Sequence, residues 1–290
     1  MTPTGSESNL VPQPMADPPR VSIVIVTRNQ ARALRRCLEA LTKSAIADKT
    51  EIIVVDNAST DGSNVIQDDF ESITYLRLPK NFGYTKAANI ALRSTLADSI
   101  LFLDPRVELS AKAVETLAAA VSEESDAAAA CASLTTPDGA GAKVFRKLPS
   151  PSDLRPAFFA ASADTVNVEF PGMFALLIRK AFLKGMNFLD ERYGELWSDA
   201  EVAVQVKRAG RKIVLLQDAT GVFHESDAPP ALSDSLVGAD FEQGAATFLG
   251  KHHGGGLMRR VSSALGALAT LKVGLLMNLL SAQKIDGTQE

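Results

Sequence analysis

Three observations predict an α/β fold built on a mostly parallel sheet. First, "VSIVIVT" (21–27) and "EIIVVDN" (51–57) are near-continuous apolar, β-branched runs without alternation, the mark of strands buried on both faces. Second, Ala33, Leu34, Cys37, Leu38 and Leu41 recur at helical spacing between them, so 30–43 reads as an amphipathic helix. Third, strand and helix keep alternating at this spacing through residue 104, as crossover units of a parallel sheet do. Sheets of this kind bind ligands in the crevice beyond the carboxyl ends of their strands.

The remaining elements follow in order. "STDGS" starts a second helix, "ITYLRL" (73–78) is a third strand, "GYTKAANIALRSTLA" (83–97) a third helix and "SILFLD" (99–104) a fourth strand. Polar residues gather at the strand ends: Thr27-Arg28-Asn29, then Asp56-Asn57, then Asp104. Any one of these is what a turn would ask for; three together mark a site. No GxGxxG follows the first strand and no GxxxxGK[ST] occurs, so dinucleotide and P-loop modes lose their support.

Composition narrows the class. With 46% hydrophobic and 22% charged residues in 290, the chain is globular, and its net charge of -4 argues against a nucleic-acid partner. Cys37 and Cys131 are far apart with no CxxC, which fits a reducing, cytoplasmic setting and excludes a cysteine zinc site. Residues 1–20, rich in Pro and small polar residues, read as a disordered leader without a secretory hydrophobic segment.

"VSIVIVTRN", "IIVVDNASTDGS", "LPKNFGYTKAANIAL" and "LFLDPRV", in this order, resemble the inverting nucleotide-diphospho-sugar glycosyltransferases of family 2, which have the GT-A fold. The second half, "PGMFALLIRKAFLKGMNFLDERYGELWSDAEVAVQVKRAGRKIVLLQDATGVFHES", resembles their rhamnosyltransferase-like branch. The resemblance covers about Val21 to His224 and implies a GT-A domain over 21–228 (nucleotide-binding half 21–107, acceptor half 108–228), followed by a helical tail, 229–290.

It also implies roles. Thr27 and Asp56 would hold the nucleotide base, with Asn29 and Asn57 beside them; a carboxylate accepts the imide N–H of uracil or thymine, pointing to a UDP- or dTDP-sugar. "NFGY" resembles the donor loop, in which Gly83 permits close approach and Asn81 or Asn89 fixes the backbone, although capping explains either asparagine as well. Asp199, in the acid pair after "ELW", would be the catalytic base, with Glu201 and Trp197 facing the acceptor. Helix capping and core packing are the competing roles for Asp199 and Trp197.

The strand-four motif departs from the family, which has a second acid holding a divalent cation, Mn or Mg, where this chain has Arg106. Three readings stand. Arg106 itself neutralises the donor diphosphate, its fork matching phosphate oxygens; or Asp104 and His224 hold a metal with help from the diphosphate; or the chain is a catalytically impaired nucleotide-sugar-binding scaffold in a polysaccharide assembly complex. A nucleotidyltransferase is disfavoured because its Gly-rich, basic first loop is missing after "VIVT".

The tail carries no acid between Glu242 and Asp286, yet holds Lys251, Arg259, Arg260, Lys272 and Lys284. Val261, Leu265, Leu268, Leu275, Leu276 and Leu279 fall roughly on one helical face. Its leucines contribute about -2 to -4 kcal/mol toward insertion, and Lys272 alone costs about +2.5 to +3.5, so it is not expected to span a bilayer. It reads as an amphipathic helix on an anionic membrane, peripheral on the cytoplasmic face and near a glycan or lipid-linked acceptor. Packing on the domain, or on a second subunit in a homodimer, is the alternative.

Overall fold

The computed structural model describes residues 20–43, 50–121, 126–281 and 285, so the leader expected over 1–20 lies, apart from Arg20, outside the described residues. The first four strands stand where the apolar runs place them: β1 (Val21–Thr27), β2 (Thr50–Asp56), β3 (Ile73–Arg77) and β4 (Ser99–Leu103). Helices α1 (Ala31–Thr42) and α2 (Gly83–Ser94) connect them, while the segment after "STDG" forms a 3-10 helix, Ser63–Asp69, in place of the expected α-helix. Helix α1 buries the five residues of its predicted apolar face.

Beyond β4 the chain adds β5 (Val107–Leu109), α3 (Ala111–Ala120), β6 (Ala127–Thr135), β7 (Ala175–Arg179), α4 (Lys180–Gly185), α5 (Ser198–Arg208) and β8 (Lys212–Phe223). The eight strands form one sheet in the order β3-β2-β1-β4-β7-β6-β8-β5. Pairing is parallel from β3 through β4 and for β6/β8, but antiparallel for β4/β7, β6/β7 and β5/β8. Four of the seven pairings are thus parallel, and the antiparallel ones lie beyond β4. Strand β7 enters beside β4 in the opposite direction and ends the parallel run.

Register matters for the site. Thr27 pairs with Asp56 across β1 and β2, so their side chains leave neighbouring strands at the same level and on the same face. Three helices close the chain: α6 (Asp234–His252), α7 (Gly256–Ala269) and α8 (Val273–Leu280). Helix α6 is not an appendage. Its Phe248 and Ala245 are fully buried and its Asp240 is 2% exposed, so α6 belongs to the core of the domain.

Candidate active site

A cavity of about 550 Å³ lies between the strand ends and the start of α5, lined among others by Tyr84, Asp104, Arg106, Arg146, Glu195 and Asp199. A smaller recess of about 90 Å³, lined by Thr27, Arg28, Asn57 and Leu103, shares Tyr84, Asp104, Met173 and Glu195 with it. The two form one cleft running from the ends of β1 and β2 to the N-terminus of α5.

Thr27 lines the inner end, while its register partner Asp56 is fully buried behind the lining; Thr27 Oγ1 and Asp56 Oδ2 have no hydrogen-bond partner among the described residues. A buried hydroxyl and carboxylate oxygen left open side by side are costly unless a ligand completes them. Asp56 Oδ1 is used locally, accepting from Ser59 N at 2.8 Å, and Arg77 Nε stands 3.9 Å from Oδ2. Asn57 and Asn81 brace the loop before α2. Asn57 Nδ2 donates to Asn81 Oδ1 (2.8 Å), Asn57 Oδ1 accepts from Phe82 N (2.8 Å), and Asn81 Oδ1 accepts from Gly83 N (2.9 Å). Asn81 Nδ2 is left without a partner among the described residues.

Asn29 stands outside the cleft lining. It adopts φ +53 and ties β1 to the loop after β2, its N–H donating to Ser59 Oγ (2.9 Å) and its Oδ1 accepting from Thr60 N (2.6 Å). Asn89 likewise holds the backbone of Leu189 through both ends of its amide. Gly83, at φ +75, does permit a close approach, but to the chain itself: a Cβ there would collide with the Ile285 carbonyl oxygen.

At the end of β4, Arg106 folds back on Asp104. Its Nε donates to Oδ1 (2.9 Å), its Nη2 to Oδ2 (2.8 Å), and its backbone N–H also reaches Oδ1 (2.9 Å). The guanidinium lies over the Phe223 ring, 4.8 Å from its centroid. Burial works against the charge, but the Asp104 bonds and the nearby Glu225 and Asp227 more than offset it, so Arg106 is held protonated even more firmly than usual. His224 is turned elsewhere: its Nε2 lies 2.6 Å from Glu108 Oε1, on a carboxylate that also pairs with Arg36 (2.8 Å).

Asp104 and His224 are thus each turned to another side chain in this structure. Both Asp104 oxygens are held by Arg106, His224 serves Glu108, and the described residues contain no group of three or more His, Cys, Asp or Glu able to hold a metal. A divalent cation here would need an Asp104 oxygen released from Arg106, with further oxygens supplied by a diphosphate.

At the outer end, Asp199 opens α5. Its Oδ1 accepts from Ala200 N (2.8 Å) and its Oδ2 from Arg146 Nη2 (2.9 Å). Burial raises its carboxyl above the ordinary range and the Arg146 charge pulls it part of the way back. Arg146 is itself sandwiched between Phe170 and Phe158, at 4.1 and 4.5 Å from the ring centroids. Glu195 lines both parts of the cleft and accepts from Tyr84 N (3.0 Å). Solvent reaches it from the cleft, yet protein walls it on the other sides; this burial, with the nearby Asp240 charge, pushes its carboxyl up to about 7.

Two expected acceptor residues are placed differently. Trp197 is 5% exposed, donates Nε1–H to the Phe241 carbonyl (3.0 Å), and packs between Phe241 and Phe248, so its indole is core. Glu201 lies one α-helical turn further in, 1% exposed, bonded to Tyr193 Oη (2.9 Å), Gln205 (2.7 Å), His252 (2.7 Å) and Lys251 (2.6 Å). It borders a different cavity, of about 460 Å³, and fastens α5 to the end of α6.

Arg146, Glu195 and Tyr84 are cleft residues that the sequence alone does not single out. Glu195 lies inside "GELW", and its signal is an acid in a loop that leads directly into the α5 N-terminus. Arg146 has no local signal, since the aromatic pair flanking it comes from residues 158 and 170.

Known proteins agree with this architecture. The match to a solved Staphylococcus aureus TarS fragment, residues 1–349 in complex with UDP-GlcNAc, has a TM-score of 0.57 at 16% identity, covering 91% of this chain and 73% of that one. A mannosyltransferase from Pyrobaculum calidifontis, in complex with GDP-Man and Mn2+, matches with a TM-score of 0.56 at 16% identity, over 91% and 81% of the two chains. At such identities the likeness concerns the fold. An N-acetylglucosaminyltransferase of Sinorhizobium fredii is 29% identical over 107 residues, which is 35% of this chain and 26% of the relative. The model of "Glycosyl transferase family 2" matches residues 22–185, more than half of the chain. The chain belongs to glycosyl transferase family 2.

Proposed function

We propose that this chain transfers a sugar, with inversion, from a UDP- or dTDP-sugar to a hydroxyl of a cell-surface or lipid-linked glycan, as a hexosyltransferase of the rhamnosyltransferase-like branch. One observation carries the reading: a single cleft joins Thr27, whose hydroxyl at the end of β1 has no partner among the described residues, and the neighbouring Asn57 to Arg106 and on to Asp199. Thr27 Oγ1 and Asp56 Oδ2 supply a donor and an acceptor for a pyrimidine, and Asn57 and Asn81 set the loop over it. Arg106 lies between this end and Asp199. There its guanidinium exchanges Asp104 for the donor diphosphate and supplies, as a fixed charge, the neutralisation that many nucleotide-sugar enzymes draw from a cation.

Asp199 is the base. Its raised pKa gives it proton affinity, and Arg146 holds the carboxylate in place. The acceptor hydroxyl gives its proton to Asp199 as its oxygen bonds to the anomeric carbon. The bond from that carbon to the phosphate oxygen breaks on the opposite side, and the nucleoside diphosphate leaves with the electron pair.

Calorimetric titration of UDP and dTDP, with manganese and with EDTA, tests the donor assignment. The expected result is binding of one nucleotide that survives EDTA and weakens about 10- to 100-fold in Arg106→Ala, in keeping with a lost charged hydrogen bond. Binding that appears only with manganese removes Arg106 as the counter-charge to the diphosphate. The scaffold reading is separated by Asp199→Asn, expected to lower turnover about 10² to 10⁴-fold while leaving nucleotide binding intact. Unchanged turnover in that variant removes Asp199 as base.

A further inference from the structure

Helix α7 is built inside out for a protein surrounded by water. Its inner side is polar or small: Arg259 Nη2 donates to Glu242 Oε1 (2.7 Å), Ser263 Oγ donates to Glu242 Oε2 (2.5 Å), and Ala267 is buried. Its outer side carries Leu257, Met258, Val261, Leu265 and Leu268, each more than half exposed. Water alone would favour the opposite orientation, with the leucines turned inward and the ion pair outward. Helix α8 continues the surface with exposed Val273 and Met277, while Leu275 and Leu276 on its other side are only half-buried against α6. A contiguous apolar face of this size calls for a partner phase.

We infer that α7 and α8 form a docking face for an anionic lipid bilayer and lie in its interface rather than crossing it. Three features select this occupant. Exposed Arg260 and Lys272 border the apolar stripe, and no acid occurs between residues 243 and 285, so the face complements anionic headgroups. A second copy fits less well: a two-fold contact sets this patch against itself and brings basic residues together with no acid of the patch to pair them. The helices are also short. The 14 residues of α7 span about 21 Å against a hydrocarbon core of about 30 Å, and no described helix is long and apolar enough to cross a membrane. The inference stands on this surface alone and does not depend on the donor assignment above.

Flotation of the full chain with vesicles tests it, using neutral phosphatidylcholine vesicles and vesicles half composed of phosphatidylglycerol. The full chain should float with the anionic vesicles, weaken at high salt, and bind neutral ones at least about tenfold less. Replacing Arg260 or Lys272 by Gln should weaken binding about fivefold each. Leu265→Asp with Leu268→Asp should abolish flotation while leaving the far-ultraviolet spectrum and the melting transition in place. Absence of flotation with either vesicle type, or undiminished flotation of the Asp variant, overturns the inference. So does a dimer seen by light scattering that dissociates in that variant, which would give the face to a second copy. UDP titration of the same variants keeps the two proposals apart, because the docking substitutions leave the cleft untouched.

Discussion

Glu195 is a cleft residue whose chemistry departs from its sequence context. Two neighbours along the chain are apolar, yet the carboxyl stands in the cleft with Asp240 nearby and is pushed up to about 7. A carboxyl whose folded-state pKa lies above the unfolded value favours the fold most when protonated. Its contribution is therefore complete below about 4.5 and is lost as pH rises through about 7. Glu195→Gln should melt at the same temperature as the parent near pH 4.5 and a few degrees higher at pH 8, as read by differential scanning calorimetry. An equal shift at both pH values would mean the carboxyl is not perturbed. The same variant divides the labour between the two cleft acids. With Asp199 as the base, the pH–rate profile of Glu195→Gln keeps its rising limb; disappearance of that limb, with an inflection near 7 in the parent, would transfer the base role to Glu195. Arg106 teaches a related lesson about single letters in a sequence. Its replacement of the second acid was visible in "LDPRV", but the closing of its fork on Asp104 was not.

At the scale of elements, α6 shows most directly how packing sets sequence. A Cβ at Gly244 would drive into the Trp197 indole, whereas one at Gly266, on α7, meets nothing within 4 Å. Gly244→Ala should cost about 1–3 kcal/mol of stability by overpacking. Gly266→Ala should be neutral or favourable by up to about 1 kcal/mol, because alanine suits a helix interior better than glycine. Urea melts of the two variants check this, and similar losses in both would remove the indole contact as the cause. The strands that were legible, β1 to β4, are those whose apolar runs are long and β-branched enough to state their own conformation. Strand β6 begins "AAAACA", which carries no such preference, and it is extended because β7 and β8 flank it on both sides. The lone tryptophan was similarly ambiguous until α6 was seen to cover it. A sequence window holds one side of such a contact and not the other.

On the scale of the whole molecule, the tail expected from residue 229 divides into two parts with different allegiance. Asp240 of α6 accepts from the backbone of Glu195 (3.3 Å) and Leu196 (3.1 Å), and Lys251 and His252 close on Glu201. Helices α7 and α8 show most of their apolar area to solvent. A chain ending at residue 228 should therefore fail to give a cooperative melt, while one ending at 254 should still melt cooperatively, with fluorescence of the single tryptophan as the probe. Cooperative unfolding of the shorter chain would sink this division. The pairing of Thr27 with Asp56 was legible because both sit at the ends of consecutive strands, where register alone brings them together. The surroundings of Asp199 were not, since Arg146 meets it across 53 residues with no repeating pattern to announce it. The family match stops at residue 185, whereas the loop bearing Glu195 and its anchor, Asp240, both lie past it. Exchange between relatives at that boundary is therefore not modular. A chimera that kept the first 185 residues of this chain and borrowed a remainder lacking the acid at 240 would inherit the ends of β1 and β2 intact and leave the approach to α5 adrift.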